Sequence, residues 1–343
     1  MAKYSVIVPV YNRPDEVDEL LQSLCIQEFK DFEVVLVEDG SSVPCDAVAG
    51  RYRDRLAISY FTKENGGPGA ARNFGAEKAS APWLIILDSD VILPQGYFSA
   101  VEAELEAKDS DAFGGPDRAH PDFTPVQKAI NYSMTSFFTT GGIRGGKVKM
   151  DKFYPRSFNL GIKAGAFKAL KGFSNMRFGE DIDLSIRIFT AGYRCRLFPQ
   201  AWVWHKRRTD LKKFFKQVHN SGIARINLYK KYPESLKLVH TLPALFTLGS
   251  ALLLVAAPPA VWLLTGLPAW ISLFSAWSPL LIWALAVFVD SSIKNRSPKI
   301  GLLSIAASFV QLTGYGSGFI RAWWLRCILG RGEMQAFKKT FYK

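Results

Sequence analysis

Asp88, Ser89 and Asp90 place two carboxylates one residue apart at the end of the apolar run Trp83–Leu87. That run reads as a buried strand, and the chain breaks after it into Val91-Ile92-Leu93-Pro94. Two hard oxygen donors aimed into one cleft suit Mg²⁺ or Mn²⁺, ions that also bind a substrate's phosphates. A lone Asp-x-Asp is just as well a solvated turn, so its company matters. Gly66-Gly67-Pro68-Gly69 lets backbone approach a ligand closely, and Arg72 behind it is long enough to reach a pyrophosphate or a base. Gly179-Glu180-Asp181-Ile182-Asp183 adds a second acidic cluster. Taken singly, the glycine run is a turn before a helix, and the acidic cluster is a first helical turn complementing the helix dipole. Asp183 precedes Arg187 by four residues, the spacing of a helical ion pair, and is read as structural.

These groups need a frame to hold them. Ser5–Val10, Glu33–Val37, Ile58–Phe61 and Trp83–Leu87 read as four strands. Between them, residues 14–26 carry Val17, Leu20, Leu21 and Leu24 at helical spacing, and 70–79 form another helix. Strand alternating with helix predicts a mainly parallel sheet covered on both faces, with ligands at the carboxyl ends of its strands. The polar motifs all fall at those ends.

Five motifs occur in order: Val8-Pro9-Val10-Tyr11-Asn12, Glu38-Asp39-Gly40-Ser41, Gly66-Gly67-Pro68-Gly69-Ala70-Ala71-Arg72-Asn73, Asp88-Ser89-Asp90, and Gly179-Glu180-Asp181-Ile182-Asp183-Leu184. In this order and spacing, residues 4–225 resemble the inverting family 2 glycosyltransferases of GT-A fold. The resemblance implies a nucleotide-sugar donor, a UDP-sugar by family habit, and a divalent cofactor, Mn²⁺ or Mg²⁺. It implies that Pro9, Tyr11 and Asp39 line the pocket for the base, that Arg72, Asp88 and Asn159 serve the donor, and that Asp90, Asp88 and His205 hold the metal. Asp181 is then the catalytic base and Glu180 orients the acceptor, while Asn73 is structural. Glu38 departs from the family, which more often carries Asp there. His120, His219 and His240 have weaker claims than His205. Residues 139–152, rich in Gly and Lys, read equally as a lid over the acceptor or as a solvated loop. Processive members carry Gln-x-x-Arg-Trp where this chain has Gln217-Val218-His219-Asn220-Ser221-Gly222, so addition of one sugar is expected.

The 343 residues leave room for about two domains. The expected division is a cytoplasmic GT-A domain over 1–232 and a membrane region over 233–343. Thr241 to Val289 contains 49 residues without Asp, Glu, Lys or Arg; as helix it would measure about 73 Å against a hydrocarbon core of about 30 Å. Pro258-Pro259 and Gly266-Leu267-Pro268 are the candidate breaks. Helices are expected at about 241–266 and 269–289, with a third candidate at 300–320. The net charge is +13, and ten Lys/Arg against two acids lie between Lys206 and Lys237, just before the first apolar run. Such an excess marks the cytoplasmic side and favours anionic lipid. Lys294, Arg296 and Lys299 fit the same side. A basic tail after a third crossing would conflict with that tendency unless the segment re-enters or lies at the interface, and Gly314, Gly316 and Gly318 would help bend it.

Basic charge abutting apolar segments, with no recognition module, argues against nucleic acid. Cys25, Cys45, Cys195 and Cys327 have no metal spacing and fit a reducing compartment; no signal peptide is read at the start. The expectation is a multi-pass inner (plasma) membrane protein whose acceptor is a polyprenyl-diphosphate-linked glycan in surface polysaccharide synthesis. The alternatives are transfer to polyprenyl phosphate itself, a nucleotidyltransferase, and a non-catalytic scaffold. A nucleotidyltransferase needs a basic Gly-rich loop for its triphosphate, and residues 8–15 offer a single Arg.

Overall fold

A computed structural model describes residues 2–141, 153–176 and 178–333. The chain packs into two compact units, residues 1–120 with 151–206, and 121–150 with 207–343. The sequence boundary at 232 follows composition. The packing unit around the apolar helices also takes in helices at 125–140 and 211–231.

The first unit contains the strands β1 (Tyr4–Val10), β2 (Phe32–Asp39), β3 (Ile58–Lys63), β4 (Trp83–Leu87), β5 (Val91–Ile92), β6 (Ala112–Gly114), β7 (Asp117–Arg118), β8 (Asn159–Lys163), β9 (Cys195–Leu197) and β10 (Val203–His205). A seven-stranded sheet runs β3-β2-β1-β4-β8-β6-β9, and a small sheet runs β5-β10-β7. In the large sheet only β8 opposes its neighbours, so the mainly parallel sheet is as expected. Its helices are α1 (Pro14–Cys25), α2 (Asp46–Gly50), α3 (Pro68–Lys78) and α4 (Tyr97–Ala107), and, after two helices of the second unit, α5 (Pro125–Thr135) and α6 (Phe137–Thr140), also α7 (Ala164–Ala169) and α8 (Glu180–Thr190).

The central strands carry runs of apolar residues, 6–10, 34–37 and 84–87, because both of their faces are buried. Val6, Val8, Val34, Leu36, Ile85 and Leu87 point to one face and pack with Leu20, Leu21 and Leu24 of α1 and Phe98 of α4. Ile7, Val35, Val37, Leu84 and Ile86 point to the other and pack with Ala71, Phe167, Leu184 and Ile188. Each such fully buried aliphatic side chain contributes about 1.5–3 kcal/mol. Helix α3 lies so close to β1 that a Cβ on Gly75 would sit 2.6 Å from Ile7 Cγ2. Pairing of Val10 with Glu38 and of Ile7 with Ile86 aligns the strands so that Tyr11, Asp39 and Asp88 emerge at one edge.

The second unit is helical: α5, α6, α9 (Leu211–Lys231), α10 (Leu242–Ala251), α11 (Ala257–Thr265), α12 (Ala269–Asn295) and α13 (Pro298–Trp323). Pro258 and Pro259 do not break the first apolar helix. They follow a wider π turn at Leu252–Ala256 that joins α10 to α11, because their missing N–H groups interrupt the α ladder. The reversal comes at Gly266, whose φ of +65° suits glycine. Three stretches, Leu238–Thr265, Ala269–Asn295 and Pro298–Ile328, are long and apolar enough to cross a membrane. Gly314, Gly316 and Gly318 do not interrupt the third, which is continuous helix from Pro298 to Trp323. They let neighbours approach: Cβ atoms there would lie 2.6 Å from Val218, 2.1 Å from Thr247 Oγ1 and 2.0 Å from the His219 carbonyl.

Candidate active site

At the end of β2, Asp39 is buried, and its carboxylate is held on both oxygens. Oδ1 accepts from Lys63 Nζ at 2.7 Å and Gly66 N at 2.9 Å, and Oδ2 from Gly67 N at 2.7 Å. The glycine run therefore folds onto Asp39, and Gly67 at φ +88° starts α3. Glu38, where the family more often carries Asp, accepts from Cys45 N and the Tyr60 hydroxyl, both at 2.9 Å, and from Ser41 Oγ. Asn12, with φ +52°, accepts from Val43 N at 2.9 Å and donates its own N–H to Ser41 Oγ at 2.7 Å. The loop after β2 is thus tied to the end of β1. Pro9 and Tyr11 are half-buried beside it.

Helix α3 carries Arg72 into the centre of the site. Its guanidinium is buried, donates to Asp88 Oδ1 at 2.6 Å and to Glu180 Oε1 at 3.1 Å, and lies 5.3 Å from the Phe173 ring centroid. Burial would lower its pKa, but the charges of Asp88 and Glu180 outweigh that and raise it. The adjacent Asn73 fixes that ring by donating to the Phe173 carbonyl at 2.9 Å and accepting Phe173 N at 2.8 Å, a structural task as expected.

Asp90 is nearly buried; Arg13 Nη1 donates to its Oδ2 at 2.7 Å, and His205 Nε2 lies 3.2 Å from its Oδ1. The antiparallel pairing of His205 with Val91 delivers the imidazole to this spot, and the Phe158 ring sits 4.8 Å from it. Burial pushes His205 down, but the Asp90 charge, with Asp117 and Asp88, raises it to about 9. Ligand atoms of Asp88, Asp90 and His205 all lie within 4.8 Å of one another. Two carboxylates and an imidazole so close are a donor set that fits a divalent cation.

Gly179, left-handed at φ +86°, starts α8 and presents Glu180 and Asp181 in its first turn. Burial, then the neighbouring Asp181 charge, push Glu180 up to about 7 against the pull of Arg72. Asp181 accepts from Arg156 Nη1 at 3.1 Å and from Ile182 N at 2.8 Å. Asp183 is fully buried and pairs with Arg187 at 2.8 Å, the helical ion pair read from its spacing.

Asp88, Asp90 and His205 are thus brought together, and Arg72 joins them to Glu180 and, through α8, to Asp181. Asn159 stands apart. It is fully buried, accepts from the Tyr97 hydroxyl at 2.6 Å and donates to the Ala201 carbonyl at 2.8 Å. His120 packs on Trp204, His219 contacts Ser317, and His240 accepts from Lys237 N. Residues 142–152 of the candidate lid lie outside the described residues. Sequence reasoning missed Arg13, Lys63 and Arg156. Arg13 adjoins Asn12 and could have been flagged; Arg156 has no spacing signal toward Asp181.

Comparison with known proteins bears on the family and the fold. Residues 5–168 match the model of glycosyl transferase family 2. An uncharacterized glycosyltransferase of Rickettsia felis is 32% identical over 137 residues, 40% of this chain and 22% of the relative. The poly(ribitol-phosphate) β-N-acetylglucosaminyltransferase TarS of Staphylococcus aureus is 35% identical over 115 residues, 32% of this chain and 20% of the relative. The chain thus spans about a fifth of the length of these relatives. Residues 1–349 of TarS in complex with UDP share the fold with a TM-score of 0.51 at 19% identity, covering 96% of this chain and 92% of that one. The mannosyltransferase PcManGT of Pyrobaculum calidifontis, in complex with GDP-Man and Mn²⁺, does so with a TM-score of 0.57 at 16% identity, covering 94% and 87%. Motifs, sheet topology and family match converge: residues 5–168 carry a glycosyl transferase family 2 domain, on a GT-A fold.

Proposed function

We propose that this chain is a membrane-associated inverting glycosyltransferase that moves one sugar from a nucleotide-sugar, a UDP-sugar in the first instance, to a lipid-linked glycan. The observation that carries the reading is the cluster of Asp88, Asp90 and His205 wired through Arg72 to the acidic first turn of α8. The neighbours bound to UDP and to GDP-Man with Mn²⁺ support a nucleotide donor and a divalent cation. The three apolar stretches and the basic segment before them support a membrane location with the transferase domain cytoplasmic, where an acceptor on a polyprenyl diphosphate would lie at the inner leaflet.

In this reading Pro9, Tyr11 and Asp39 shape the base pocket, Asp39 by holding the Gly66-Gly67 backbone where the nucleotide passes. Asp88, Asp90 and His205 hold Mn²⁺ or Mg²⁺, which when bound supplies positive charge to the diphosphate leaving group. Asp181 removes the acceptor's hydroxyl proton, and Arg156 orients its carboxylate. Glu180, fixed by Arg72, positions the acceptor. Asn159 supports β8 and the 201 loop from inside the core.

Release of nucleoside diphosphate from a panel of UDP- and GDP-sugars, in detergent, tests this. Metal-dependent release from one donor, stimulated by a polyprenyl-diphosphate-linked glycan, is the expected result. Stimulation by bare polyprenyl phosphate instead would move the acceptor to that lipid, and nucleotide binding without release under any acceptor would favour a non-catalytic scaffold. Asp181→Asn should keep donor binding and lose transfer.

A further inference from the structure

The three apolar stretches are unlike in their surroundings. Only 11% and 17% of the most apolar windows of Leu238–Thr265 and Ala269–Asn295 are buried within the protein, against 44% for Pro298–Ile328. Leu245, Leu252, Val255, Leu264, Trp270, Phe274 and Ile282 are exposed on the first two, a surface suited to hydrocarbon. The third has an escort. Along its second half, Gly314 faces Phe215 and Val218, Ser317 contacts His219, Gly222 abuts the Tyr315 carbonyl, and Arg326 donates to Asn227 at 2.6 Å. Helix α9 therefore runs beside α13 from residue 215 to 227, about 18 Å of rise.

Helix α9 does not have the composition of a lipid-embedded helix. It carries Lys212, Lys213, Lys216, Arg225, Lys230 and Lys231 within 21 residues, with Gln217, His219, Asn220, Ser221 and Asn227 between them. Charged side chains in hydrocarbon are expensive and seek the interface. Burying residues 314–326 in the bilayer core would drag this helix in as well. We infer that α13 is not a membrane crossing. Its second half is sheathed by α9 outside the hydrocarbon, and residues 326–333 lie on the same side of the membrane as residues 207–237. The helices of 238–265 and 269–295 are then the inserted hairpin, with its turn at 266–268 on the far side. Arg321, Arg326 and Arg331 join the other basic segments on one face, which removes the conflict with the positive-inside tendency.

The inference rests on the membrane association proposed for this chain. The test is labelling of single added cysteines in the full chain with a membrane-impermeant maleimide, in intact and permeabilised cells, against the parent carrying its four native thiols. Lys230→Cys and Gly332→Cys should both be protected in intact cells and labelled on permeabilisation, and Leu267→Cys should be labelled in intact cells. Opposite behaviour of positions 230 and 332 would overturn the inference while leaving the membrane association intact, and protection at 267 would overturn the crossing hairpin. Release of the protein by alkaline carbonate would sink the membrane association and this inference with it. Should a cysteine variant fail to accumulate, an epitope tag placed after Lys343 on the native chain reports the C-terminal side by its accessibility to protease. A tag cleaved in intact cells would overturn the inference, and one cleaved only after permeabilisation would support it.

Discussion

Arg72 is the residue on which the site's geometry turns. Its guanidinium is buried between Asp88 and Glu180, and removing it strands two carboxylates in a poorly solvated place. Arg72→Met should destabilise the first unit by about 3–5 kcal/mol, measured as a shift in the denaturant midpoint. Glu180 gives a pH signature. Its folded pKa of about 7 lies above the ordinary value of 4.5, so the folded state holds that proton more tightly than the unfolded chain. Stability from this group is complete below pH 4.5 and is lost as pH rises through about 7. Glu180→Gln should flatten that slope, and an unchanged slope would refute the assignment. Among the described residues, the carboxylate that Arg156 touches is that of Asp181. Arg156→Gln should lower turnover about 10- to 100-fold, as misplaced catalytic groups do, with donor affinity unchanged and Arg156→Lys partly restoring the rate. Equal loss of donor binding would place Arg156 in the nucleotide pocket.

At the scale of elements, two short segments do most of the positioning. The two-residue β5 pairs with β10 and brings His205 to Asp90 from 115 positions away in the chain. The left-handed glycines before α3 and α8 let each helix begin at the site, so that their first turns face it. In the second unit the determining contacts are backbone to backbone. A Cβ at Gly318 would sit 2.0 Å from the His219 carbonyl, whereas at Gly249 it would meet nothing within 4 Å. Gly318→Ala should therefore cost about 1–3 kcal/mol through forced separation of α9 and α13, while Gly249→Ala should be neutral or stabilising by up to about 1 kcal/mol. Thermal unfolding of the two variants in the same detergent makes the comparison. Equal effects would mean that the two helices do not pack as closely as described.

Across the whole molecule, charge and apolarity are segregated. Basic residues crowd the segments that flank the apolar helices, and the carboxylates of the site gather at one edge of the sheet. Two expectations follow at this scale. The chain should require detergent for extraction. Chelation should abolish nucleotide release, with Mn²⁺ or Mg²⁺ restoring it; full activity in excess chelator would remove the cation from the reading. Asp90→Asn should be insensitive to added metal.

Patterns that repeat along the chain were legible before any fold was known. Unbroken apolar runs marked β1, β2 and β4 as strands buried on both faces, the i, i+4 spacing marked Asp183–Arg187, and uncharged length marked the three apolar stretches, because each of these is a local property of neighbouring residues. The family motifs likewise each lie within a few consecutive residues. What needed the tertiary structure was the pairing across long separations of Arg13 with Asp90, Lys63 with Asp39 and Arg156 with Asp181; the joining of His205 to Asp88 and Asp90 came from the family resemblance. Asn159 reads as a donor contact from the family resemblance; only the fold shows that it is buried and bonded to Tyr97 and Ala201. Gly314, Gly316 and Gly318 read as a bend because glycine loosens an isolated helix. Only the presence of α9 and α10 against that face shows that these glycines serve close approach. Local periodicity records which faces are buried, whereas the partner that buries them is set by the packing of the folded chain.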